Sequence, residues 1–347
     1  MASINEVLIR SVFDEMLKHK ASLSKMVITD EDDGELPDYR ILADLIIKNF
    51  PWPIGVELRR LFSGSMRQLD RMRLDQIFKT IERSMQFLSF VMLSQVVKSK
   101  EESKLIIPGS FIKEFNNRFL VLSLGNFSWI IRSVGNLYQD QKIEWFMPEM
   151  SDCFDNKFYG ALDFWVPERN EIGHYQINLT QEEIEKRCVE YEEKLTFILQ
   201  RISFLVKYKL VSVKEIKVIK SKINKAAFHH VFDLLNSSDS DFKANEFQES
   251  TFTESNSVLL MKNIKSLDEY LNLSPLIIDT STEVLDSKEK FDIKKDIFMY
   301  SKFRNDQLMY LGTEVTEKID LRSLKNYETL LREFRQLLSI ISAEAEV

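Results

Sequence analysis

Apolar residues recur at helical spacing through most of the first 208 residues, and then the pattern changes. Residues 3–20 and 38–49 read as short amphipathic helices, with the mostly acidic run 30–35 as a loop between them. Pro51-Trp52-Pro53 is expected to break the chain, because neither proline continues a helix interior. A long helix is predicted over about residues 65–100, where Leu69, Met72, Ile77, Ile81, Met85, Leu88 and Met92 recur at three- to five-residue steps. Over residues 87–97 the apolar character spreads around more of the helix, as in a central bundle helix or in one with a homodimer face. Pro108-Gly109 marks a second break. One or two helices follow over 111–138, interrupted near Gly125, and residues 139–157 read as a connection carrying Trp145, Phe146 and Pro148. A helix is expected over 158–175. Thr180 and Glu183 then form a capping box that opens a long helix to about residue 208, with acidic residues crowding its first two turns, where the helix dipole favours them.

After Leu210 the alternation becomes that of strands. Residues 211–220 alternate with β-branched positions, and further strands are expected over 228–235, 257–261, 276–279, 296–301 and 307–311, with residues 237–241 as a loop. An amphipathic helix covers 321–341. The expected fold class is α+β: an N-terminal all-α bundle (1–208), a small antiparallel β module in the form of a barrel or curved sheet (209–320), and a C-terminal helix (321–347).

Composition agrees with a folded, helix-rich chain: 44% of residues are hydrophobic, and Gly and Pro number only 9 and 7. The 47 basic and 54 acidic residues leave a net charge of -7, which disfavours whole-surface binding to nucleic acid but leaves room for a local basic cleft. Two cysteines, Cys153 and Cys188, point to a reducing compartment and to core thiols rather than a metal site. The chain opens without a basic, apolar leader, and its longest near-apolar run is far short of the ~20 residues that span a bilayer. A cytoplasmic protein with no membrane partner, no cofactor and no metal is expected.

The chemistry concentrates in Arg169-Asn170-Glu171-Ile172-Gly173-His174. On a helix, Asn170 and His174 stand at i and i+4 on one face, and Arg169 lies roughly 100° around. Gly173, four residues past Arg169, leaves the guanidinium side open. A forked cation, an amide and an imidazole around one surface suit a phosphodiester. Pro167 either kinks this helix or starts a fresh one, which would put Arg169 in a first turn whose free amides attract phosphate. Glu171 points elsewhere and reads as structural. Glu82, midway along the long helix, is a weaker site candidate against a surface ion pair with Lys79 or Arg83. His229 and His230 would point to opposite faces of a strand and cannot form one site, and His19 reads as solvated among Lys18 and Lys20.

The Arg-Asn-x3-His spacing resembles the R-x4-6-H signature of the HEPN superfamily of helical RNases and nucleotide-binding proteins, including the polar residue directly after the arginine. Leu124-Gly125-Asn126, followed by Phe127, Trp129, Ile130 and Ile131, resembles the helix that often precedes the motif, and the likeness runs over roughly residues 60–208. It implies a metal-independent endoribonuclease in which two protomers line one cleft with both motifs, acting as a defence or toxin–antitoxin effector. His174 would then be general base or acid, Arg169 would stabilise phosphate charge, and Asn170 would orient His174 or the phosphate. Glu82 would be the polar residue on a facing helix, and the β module would hold a regulatory partner protein or sense a nucleotide trigger. The alternative from the same resemblance is a noncatalytic module that binds a nucleotide, RNA or a partner. A third reading, a structural adaptor assembling through its many phenylalanines, predicts no effect from changes at Arg169 or His174.

Overall fold

A computed structural model of the chain describes residues 4–27, 37–175, 179–235, 243–267, 269–280, 296–314, 322 and 326–343. The expected loops at 30–35 and 237–241 lie outside the described residues. The helices are α1 (Glu6–His19), α2 (Tyr39–Asn49), α3 (Trp52–Leu61), α4 (Arg71–Glu101), α5 (Gly109–Arg118), α6 (Leu124–Gln141), α7 (Met150–Cys153), α8 (Asn156–Tyr175) and α9 (Gln181–Arg201). Among the described residues eight strands follow: β1 (Lys209–Ile219), β2 (Ala227–Leu234), β3 (Lys243–Glu249), β4 (Val258–Met261), β5 (Tyr270–Asn272), β6 (Ile277–Asp279), β7 (Ile297–Arg304) and β8 (Gln307–Gly312). The C-terminal α10 spans Tyr327–Ser342. The chain is thus α+β, with helices first, antiparallel sheets after them and a helix at the end. Among the described residues, no helix is long and apolar enough to cross a membrane.

The chain forms two compact units. One holds residues 1–87, 149–208 and 236–239; the other holds 88–148, 209–235 and 240–347. The 60–208 stretch of the motif resemblance is therefore divided, with α6 in the second unit and α8 in the first.

In the first unit α1 buries Leu8, Ile9, Val12, Phe13 and Met16, the single stripe that a 3.6-residue repeat gives. It packs against α2 and α9. The fully buried Arg73 side chain fastens three segments: Nη2 donates to Asn5 Oδ1 (2.8 Å) and Glu192 Oε2 (2.5 Å), and Nη1 donates to the Met66 carbonyl (2.7 Å). The buried cation is tolerated because paired acceptors surround it.

In the second unit β3-β2-β1-β4-β5 form one antiparallel sheet and β6-β7-β8 another, in place of the expected barrel or single curved sheet. Val211, Val213, Phe232, Leu259, Met261 and Leu267 form the core of the five-stranded sheet. The α5–α6 connection joins β7 through a bridge between Val121 and Lys302. There Phe119 lies 5.2 Å from the ring of Tyr300 and 6.0 Å from that of Phe334 on α10, and the Tyr300 hydroxyl donates to the Phe119 carbonyl (3.0 Å).

Several elements differ from the periodicity. α4 begins at Arg71 rather than near 65, because Asp70 Oδ1 captures the Arg73 amide (3.0 Å) and so starts the helix there; Met72 consequently faces solvent. Pro51-Trp52-Pro53 opens α3 instead of only breaking the chain, since Pro53 falls in the first turn, where a missing N–H is harmless. Residues 84–96 of α4 are buried. Residues 111–138 do form two helices, but the break lies at residues 119–123, and Gly125 sits in the first turn of α6 behind the Ser123 cap. Strands β3 and β5 have no counterpart in the sequence reading.

Candidate functional site

The motif lies on the C-terminal half of α8, which runs unbroken through Pro167. Neither a fresh helix start nor a first-turn position for Arg169 is therefore present. The N-terminal half of α8 anchors the helix. Phe158, Leu162 and Trp165 are buried at three- and four-residue steps. Trp165 sits edge-on to Phe78 of α4 at 5.6 Å and to Tyr191 of α9 at 5.5 Å, with Phe164 5.5 Å from Tyr191. Such T-shaped contacts hold aromatic rings in fixed relative orientation. Among the described residues the buried Trp165 Nε1 has no hydrogen-bond partner.

Past Pro167, α8 is held to α9 by polar contacts. Arg187 Nη2 donates to Glu171 Oε1 at 2.8 Å, and its Nη1 stands 3.6 Å from Glu168 Oε2. The Tyr191 hydroxyl donates to the same Glu168 carboxylate and accepts from Arg187 Nη1 (3.4 Å). Burial, with the adjoining Glu168 carboxylate, pushes the Tyr191 phenol well above its ordinary range, so it stays a donor. The hydrogen bond to Glu171 holds the Arg187 guanidinium even more firmly protonated than usual. Glu171 is engaged by Arg187 of α9. Arg187, Tyr191 and Glu168 are the bracing residues that sequence reasoning missed. Arg187 and Tyr191 stand at i and i+4 on α9, but a pairing pattern within one helix does not reveal its partner on another.

α9 itself begins as expected. Thr180 Oγ1 accepts from the Glu183 amide (3.3 Å), and Glu183 Oε2 accepts from the Thr180 amide (2.7 Å). The two bonds from Thr180, backbone first, draw the Glu183 carboxyl below its ordinary value.

Arg169 is exposed, and among the described residues its guanidinium has no ion-pair partner. The α8 backbone puts positions 170 and 174 one turn apart on one side of the helix, while the side chains of Asn170 and His174 lie outside the described residues. Glu82 is half-buried on α4 and has no ion-pair partner among the described residues. Arg83 turns instead to Gln86 Oε1 (2.7 Å) and toward Glu57 (4.0 Å), so the expected surface pair does not form.

The remaining histidines divide as follows. His230 is fully buried on β2. Its Nε2 accepts from the Thr253 amide (3.4 Å), which leaves the proton on Nδ1 facing the Phe228 carbonyl (3.2 Å), and burial lowers its pKa. His229 faces the other way, 3.3 Å from Glu246, so the two do not share a site. His19 is not solvated: it is half-buried, edge-on to Phe204 at 6.3 Å, and burial lowers its pKa. Cys153 and Cys188 are buried free thiols, and among the described residues no cluster of three or more His, Cys, Asp or Glu side chains is placed to hold a metal ion.

No family model, no curated protein and no solved structure matches this chain.

Proposed function

We propose that the C-terminal half of α8 is the working surface of a metal-independent endoribonuclease, with Arg169, Asn170 and His174 as its reacting set. The observation that carries this reading is the exposed Arg169, without an ion-pair partner among the described residues, on an unbroken helix that stacks positions 170 and 174 one turn apart. Arginines on charged surfaces commonly pair with carboxylates, and here Glu168 and Glu171 are both taken by Arg187. Arg169 is left to fork onto an anion supplied from outside.

The reaction follows from the residue types. The 2′-hydroxyl of a ribose attacks the adjacent phosphorus as its proton passes to a base. The 5′-oxygen leaves and takes a proton from an acid, and the products carry 2′,3′-cyclic phosphate and 5′-hydroxyl ends. His174 serves as the base or the acid, and Arg169 meets the charge that builds on the phosphoryl oxygens. Asn170 orients the imidazole or the phosphate. One imidazole does not serve both roles in a single step, which is the chemical reason for a second copy bringing its own His174 to the same cleft. We read the activity's setting, on the resemblance to HEPN effectors alone, as cytoplasmic defence or a toxin–antitoxin pair, with a partner protein or nucleotide as trigger.

A second reading, a noncatalytic module that binds RNA, a nucleotide or a partner, draws support from the carboxylates of Glu168 and Glu171 flanking Arg169, which lower the potential a polyanion would meet. Growth on induced expression separates the two. The nuclease reading expects growth arrest that is relieved by either Arg169→Ala or His174→Ala at equal protein levels. Equal arrest by wild type and both variants would overturn it.

A further inference from the structure

The β1–β2 hairpin extends beyond the core that its base builds. β1 buries Val211 and Val213, then bulges between Val213 and Glu215. Past the bulge Ile216 still packs against the same core. By strand alternation Val218 continues that apolar face, opposite Phe228 in the register, and the Phe228 ring lies 4.8 Å from Phe252. There the cover ends: Val218 is 65% exposed, Phe252 65%, Ile219 47% and Ile223, in the connecting turn, 94%. Single exposed aliphatics are ordinary, but Val218, Phe252 and Ile223 are exposed together at one hairpin end, with Ile219 on the opposite face of the strand.

The hairpin's own charges are one-sided, although Glu249 of β3 stands opposite Phe228 in the register. Residues 216–232 contain Lys217, Lys220, Lys222 and Lys225 and no acidic residue, in a chain whose net charge is -7. Lys217 pairs with Glu215 at 2.9 Å. Lys220, Lys222 and Lys225 are exposed, and among the described residues none has an ion-pair partner. A lysine stem lies along apolar surface while its ammonium reaches outward, so the hairpin end combines exposed apolar side chains with exposed lysines.

We propose that this hairpin end is a peripheral docking site for an anionic lipid surface, with Ile223, Val218 and Phe252 entering the headgroup boundary and Lys220, Lys222 and Lys225 meeting the lipid phosphates. The contact is interfacial and needs no spanning helix. Charge complementarity alone would also admit RNA. Two of the three inserting side chains, Val218 and Ile223, favour lipid, because they neither stack on bases nor hydrogen-bond their edges, and the hairpin contains no arginine; Phe252 alone could stack.

The test is co-sedimentation of the full chain with phosphatidylcholine vesicles with or without phosphatidylglycerol, beside poly(U) binding. Each lysine at an anionic surface contributes about fivefold in partition, so the triple change Lys220→Gln, Lys222→Gln, Lys225→Gln is expected to weaken binding to anionic vesicles ~100-fold. Ile223→Ser is expected to weaken it about tenfold, at high salt as well as low. These side chains are exposed, so both variants should melt with wild type. The proposal is overturned by no binding to anionic vesicles, by binding that Ile223→Ser leaves unchanged, or by a hairpin that binds poly(U) and ignores vesicles.

Discussion

Arg187 braces the proposed working half of α8, and replacing it with methionine measures how much that brace contributes. The change keeps the aliphatic length and removes the charge. The contact to Glu171 spans 2.8 Å, but the Glu171 side chain is half exposed, so its loss costs about 0.5 kcal/mol. The contact to Glu168 is longer, 3.6 Å, yet both side chains are mostly covered. Without the cation, the Glu168 carboxylate keeps only the Tyr191 hydroxyl among these contacts, which costs about 1.5 kcal/mol. The sum is about 2 kcal/mol, or roughly 4–8 °C in melting temperature for a unit of this size. Urea titration of Arg187→Met beside Glu171→Gln separates the two parts. Glu171→Gln should cost about 0.5 kcal/mol at low salt and almost nothing in about 1 M salt, where exposed pairs are screened. The Arg187→Met penalty should largely survive the salt. A penalty under about 0.5 kcal/mol for Arg187→Met, or one equal to that of Glu171→Gln, would refute the brace.

Thr180→Ala removes the α9 cap and should lower stability by about 1 kcal/mol in urea titration. His230 and His19 are both held below the ordinary imidazole pKa of about 6.5 by burial, so below that pH the unfolded chain takes protons first and stability falls as pH drops. His230→Gln should flatten the decline of the urea midpoint between about pH 7 and 5.5. Burial pushes the Cys153 thiol up to about 12 and the Cys188 thiol up to about 11, so neither should react with a thiol reagent until the chain is unfolded.

Most of the helices were legible because one-sided burial writes a 3.6-residue repeat into the sequence, as in α1, and because Thr180 and Glu183 carry their cap chemistry in four consecutive residues. The start of α4 was misplaced because Met72 continues the repeat without being buried, while the Asp70 cap leaves only a weak mark in sequence. β3 escaped notice because it is an edge strand rich in polar residues, and β5 because three residues are too short for an alternation to show. Pairing between strands was beyond reach for the same reason that the Arg187 brace was: register and cross-helix partners depend on residues distant in sequence. In the candidate site, the helix carrying Arg169, Asn170 and His174 was readable from the sequence. That Pro167 leaves α8 unbroken was not, because a proline's effect inside a helix depends on what the flanking turns pack against.

Cleavage of end-labelled total RNA and tRNA by the purified protein in EDTA, beside His174→Ala and Arg169→Ala, tests the central proposal most directly. Cleavage by wild type alone, leaving 2′,3′-cyclic phosphate ends, is the expected result. Intact RNA with wild-type protein verified as a dimer, or equal cleavage by His174→Ala, would contradict it.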